Sequence, residues 1–185
     1  MTDGAYLIDS NILIRWVKPD SRIVLKAACL LIFALNANAQ SCPECSKGKV
    51  SMPISLAVGT VRTPEFVTSH KIYSIAIQSE WRLPAVVLRC KLGFGVVPPT
   101  DKCRAQAVLE ADWKVLEGGR VVAQGHAGGI SHEFEAGKDY IARYIGDFQG
   151  ESKHKYVVEV MFTKDGSSLD VTNPRLIVSP PDFSY

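Results

Sequence analysis

Between Lys49 and Val58 the chain alternates strictly, with Val50, Met52, Ile54, Leu56 and Val58 on one side and Ser51, Ser55 and Ala57 on the other. A period of two predicts a half-buried β-strand. Tyr73, Ile75 and Ile77 repeat the pattern, with Trp81 at its end, and Leu109, Ala111, Trp113 and Val115 repeat it again. Glu117-Gly118-Gly119 is a turn signal and Val121 and Ala123 resume the alternation, so 107–124 is expected to be a hairpin. Further strands are expected over Ala142 to Phe148, over the β-branched and aromatic run Tyr156 to Phe162, and over Leu176 to Val178. Asp165-Gly166 turns the chain before the last of these, and Pro180-Pro181 stops it. The segment Pro84 to Cys90 is the one competing helix, with a short turn at Gly137 to Tyr140. No alternation of strands with helices is visible, which argues against a parallel sheet. The expected fold is all-β: an immunoglobulin-like antiparallel β-sandwich of about seven strands, preceded by an N-terminal signal-like helix.

The N-terminal portion follows a different pattern. Arg22 and Lys26 precede the continuous apolar run Ala27 to Leu35, and Ala37-Asn38-Ala39 is a small-x-small site before Gln40. That order is a secretory signal. A buried amphipathic helix would show a 3.6-residue period, and this run shows none. Cleavage is therefore expected after Ala39, with export to the periplasm or the exterior. A lipidated N-terminus is the weaker reading, because neither Cys29 nor Cys42 has an apolar residue three positions before it. The expected organisation is an N-terminal extension over 1–21, a signal peptide over 22–39, a Cys-containing linker over 40–48 and a sandwich domain over 49–185.

Before the signal, Ala5 to Arg15 (AYLIDSNILIR) resembles the opening of PIN-domain ribonucleases. In that family an early Asp is one of several carboxylates that hold a divalent metal, and Asp9 stands at its position. The resemblance ends by Asp20, and the remaining carboxylates have no counterpart. Residues 1–21 therefore read as the start of another gene fused upstream, or as sequence ahead of the true start, with Val17 and Leu25 as alternative first codons. The sandwich portion resembles a family of uncharacterised exported Ig-like proteins and lipoproteins of proteobacteria. The resemblance rests on the early alternating strand, the Trp113 strand with its Gly-Gly turn, Ile145-Gly146-Asp147-Phe148 and the Tyr156 strand. It implies a fold and an exported life, and it transfers no catalytic residue. Asp147-Phe148, Gly150 and Tyr156 also resemble the corner of Ig-like domains where a tyrosine bonds back to nearby backbone.

Composition narrows the function classes. In 185 residues the formal net charge is only +2, which gives no broad basic surface for nucleic acid. No apolar run reaches the roughly 20 residues of a spanning helix. No phosphate-binding loop or dinucleotide fingerprint is present. With Cys29 in the signal, four cysteines remain, and an even number in an exported chain favours disulfides, with three pairings open. Cys90–Cys103 is the expected bridge, closing a loop rich in Gly and Pro. Cys42 and Cys45 form a CxxC with three readings: a small disulfide, a redox pair or half of a zinc site. His126, Ser131, His132, Glu133 and Glu135 cluster in one segment, but Ala136 occupies the second His position of a zincin motif and the nucleophile elbow lacks its closing Gly. Lys153, His154 and Lys155 read as a solvated basic turn. The 91–102 loop is the candidate partner-binding element through Phe94, Val96 and Val97, with the plainer reading that Phe94 tucks onto the sandwich end as core.

The expectation is thus a non-enzymatic binding or structural module of the envelope, with no cofactor and an unknown protein or envelope ligand as partner. The alternatives are a metal-dependent PIN-like nuclease or other hydrolase, in which His126 and His132 converge with an acid, and an immunity or inhibitor protein that covers another protein's active site.

Overall fold

A computed structural model describes residues 48–94, 103, 106–131 and 134–181. The expected extension, the signal helix and the linker up to Lys47, and with them Asp9, Cys29, Cys42 and Cys45, lie outside the described residues, as do Val96, Val97, His132 and Glu133.

The described residues form ten strands: β1 (Val50–Pro53), β2 (Gly59–Arg62), β3 (Phe66–Val67), β4 (Ile72–Glu80), β5 (Ala111–Glu117), β6 (Arg120–Ala127), β7 (Phe134–Ala136), β8 (Tyr140–Gln149), β9 (Lys155–Phe162) and β10 (Arg175–Ser179). One helix, α1 (Ala85–Leu92), follows β4, and a 3-10 helix spans Ser167–Thr172. The first sheet runs β1-β10-β4-β8-β7; the second runs β2-β9-β5-β6, with β3 beside β9. All strand pairs are antiparallel. Together they are an all-β sandwich of two five-stranded sheets.

Three strands beyond the expected seven come from short pieces. The alternation Lys49 to Val58 is not one strand. It breaks after Pro53, which lacks the N–H that a ladder needs. The Asp170 carboxylate then accepts the Leu56 N–H at 2.9 Å and the Ser55 hydroxyl at 2.6 Å. The Ile54 N–H bonds the Pro174 carbonyl. These bonds carry the chain from the first sheet to the second, and leave Val58 64% exposed instead of in the core. β2 and β3 then share one edge of β9 on either side of Thr63-Pro64-Glu65. At this interruption buried Thr63 keeps the ladder closed: its N–H bonds the Val158 carbonyl, and its hydroxyl accepts the Val158 N–H at 2.9 Å.

Core residues line both inner faces. Tyr73, Ile75 and Ile77 of β4 face Val115, Val158 and Val160 of the second sheet, all at most 0% exposed. At one end Tyr73 stacks on Phe148 at 5.5 Å, Phe148 meets Tyr156 at 5.6 Å, and Phe66 lies against both tyrosines. Each tyrosine also fixes the turn before its strand. Tyr73 Oη accepts the Ser69 N–H at 2.8 Å, and Tyr156 Oη accepts the Glu151 N–H at 3.1 Å. The second is the tyrosine-to-backbone bond expected from the sequence.

The middle of the sandwich depends on a close approach. Pairing of β4 with β8 slips between Ile75 and Ala76, which leaves Ile145 as a bulged residue. The slip changes the phase of β8, so Gly146 and Phe148 join Ile141 and Arg143 on the inside. Trp113 of β5 lies against Gly146 of the facing sheet and against Gly125 of its neighbour β6; a Cβ at either glycine would collide with the indole. Gly146→Ala should therefore lower stability by about 1–3 kcal/mol through overpacking. Urea unfolding followed by Trp fluorescence checks this; an unchanged midpoint would show that the indole slot has room to spare.

Candidate functional site

Chemistry-bearing residues gather at the end of the sandwich where α1, the segment before β5 and the β6–β7 loop meet. α1 begins after Pro84, whose ring suits a helix start, and stops at Gly93, which takes a left-handed φ of +79°. The Gly93 N–H bonds the Cys90 carbonyl and the Phe94 N–H bonds the Arg89 carbonyl, the paired bonds of a Schellman ending. A side chain at 93 would also collide with Arg143 and the Gly129 carbonyl. Cys90 is disulfide-bonded to Cys103, with Cα atoms 4.8 Å apart, and both are buried. Since each takes the other, neither is open to a zinc site with the CxxC.

Phe94 follows the plainer of its two expected readings, that of a core residue, and not that of a partner-binding one. It is 2% exposed and belongs to the core. Its backbone bridges Ser131, and the Ser131 N–H bonds the Gly93 carbonyl. The residue after the Schellman glycine is commonly apolar because it packs back on the helix, and Phe94 follows that rule.

Beneath these segments lies a residue that the sequence reading passed over. Arg143 of β8 points inward and is 2% exposed. Its Nη1 donates to the Leu92 carbonyl and, at 3.5 Å, to that of Leu109; its Nη2 donates to the Gly128 carbonyl at 3.2 Å. No carboxylate among the described residues pairs with it. The negative end of the α1 dipole and the three carbonyls carry the compensation. Burial holds the guanidinium below the usual arginine range, yet arginine stays charged at neutral pH. The signal that reveals it is the strand period: 143 shares a phase with Ile141 and Ile145.

Within the polar cluster from His126 to Glu135, the described His126 and Glu135 lie on different sheets and do not converge. His126 Nδ1 pairs with Asp112 of β5 at 2.8 Å on the outer face of the second sheet. Glu135 lies on the other sheet and accepts hydrogen bonds from the Tyr140 and Tyr144 hydroxyls, the latter at 3.1 Å. His126 thus has an acid, contributed by the hairpin and not by its own segment. The supposed basic turn is likewise paired: His154 lies between Glu117 and Glu151, and Lys155 reaches Glu65 at 2.9 Å. Among the described residues no three His, Cys, Asp or Glu side chains are placed to hold a metal ion.

One groove of about 380 Å³ lies on the outer face of the second sheet, with Trp113 and Gly125 on its floor and Asp112, Lys114, Glu159 and Met161 around it. Its charges are satisfied internally. Glu159 takes Lys114 at 2.7 Å and Arg62 at 3.3 Å, while Asp112 takes His126. The groove presents paired ions and backbone, with no nucleophile placed against a free base.

No family model and no curated protein matches the chain. Among solved structures it is similar to that of GEBA250068378 from Sulfurospirillum deleyianum, at a TM-score of 0.46 and 13% identity, over 72% of this chain and 98% of that one. Among the described residues no helix is long and apolar enough to cross a membrane.

Arg143→Met should destabilise the fold by at least about 3 kcal/mol, since it strands buried carbonyls from three segments. Arg143→Lys should recover only part of that, because one ammonium cannot match the spread of the guanidinium fork. Chemical denaturation of both variants checks this ordering; equal stability of Lys and Met would remove the forked bonding from the account.

Proposed function

We propose that this chain is exported to an oxidising compartment and acts there as a non-catalytic β-sandwich binding module. The observation that carries the reading is the Cys90–Cys103 disulfide in a chain whose sequence carries a signal-like segment at 22–39. Disulfides persist in the periplasm and outside the cell and are reduced in the cytosol. The resemblance to exported Ig-like proteins supports the same reading.

The side chains with catalytic potential support the binding role over chemistry. His126 is held by Asp112, Glu135 by two tyrosines, and the two cysteines by each other. A general base or nucleophile needs a free face toward a substrate. Glu135 and the two cysteines are engaged within the sandwich, and His126 is an exposed surface residue paired through Nδ1 with Asp112.

Intact mass of the protein recovered from the cell envelope tests the reading. A chain that begins at Gln40, with its Cys90 and Cys103 thiols appearing only after reduction, is the expected result. A full-length chain with free thiols would overturn export. On the purified protein, reduction should cost about 3 kcal/mol, the value for a closed loop of about fifteen residues. Denaturation with and without reductant measures it.

A further inference from the structure

We draw no further inference here: the strongest candidate, the groove on the outer face of the second sheet beside the β6 edge, has its charged walls paired within the chain, and nothing in the structure shows what covers it.

Discussion

A buried cation compensated by backbone carbonyls governs this fold. Removing a guanidinium from water is costly, and without a carboxylate the compensation must come from dipoles held in place. Arg143 finds them at the end of α1, before β5 and after β6. None of the three segments is strand at the contact point. Each would otherwise carry a buried acceptor with no donor. The arginine thus sets where the helix ends and how close the flanking segments come. The left-handed ending at Gly93 and the Cys90–Cys103 bridge serve the same geometry, since both hold the α1 terminus over the guanidinium. Lys91 extends the tie outward, reaching the Ser168 hydroxyl of the 3-10 helix at 2.8 Å.

The opposite end uses aromatic packing in place of charge. Tyr73 and Tyr156 start strands on different sheets, and each accepts a backbone N–H from the turn before it while its ring packs on Phe66 and Phe148. Buried phenols need a polar partner, and a turn amide four or five residues back supplies one without opening the core. Between the two ends Trp113 fills the middle layer. It fits because Gly125 and Gly146 withdraw their side chains from opposite directions. The bulge at Ile145 makes this possible, since regular pairing would turn Gly146 away from the interior.

The strands were legible where alternation was long, and the sheet order was not. Tyr156 to Phe162 and the Trp113 strand stand where the period put them. The early alternating run was misleading because the groups that break it lie far away: Asp170, which captures Leu56 and Ser55, is more than a hundred residues downstream. The His126–Asp112 pair was hidden by one residue. A hairpin folded symmetrically about Gly118-Gly119 sets Asp112 opposite Gly125; the bulge at Val122 moves it to His126. Phe94 takes the plainer of its two readings: glycines on both sides suggest an exposed loop, but a helix ending in a Schellman turn puts the next residue on the core. Arg143 was passed over because arginine is ordinarily a surface residue, although its phase in β8 already placed it inside.

What the molecule leaves unspent follows from these choices. Its described histidines and cysteines and most of its described acidic side chains near the sheets are tied to partners, so the outer face of the second sheet is largely neutralised ion pairs. Such faces contribute little driving force to association, because exposed pairs in water are worth about 1 kcal/mol or less. Backbone at an edge differs: its donors and acceptors are fixed in line before any partner arrives, so pairing costs little ordering of the strand. In a sandwich whose described side chains are tied up in this way, backbone at the longest sheet edge among the described residues is the least committed feature. That edge is β6, which also carries Gly125 of the Trp113 slot. Among the described residues the packing that seats the indole therefore reaches the edge of its sheet through β6.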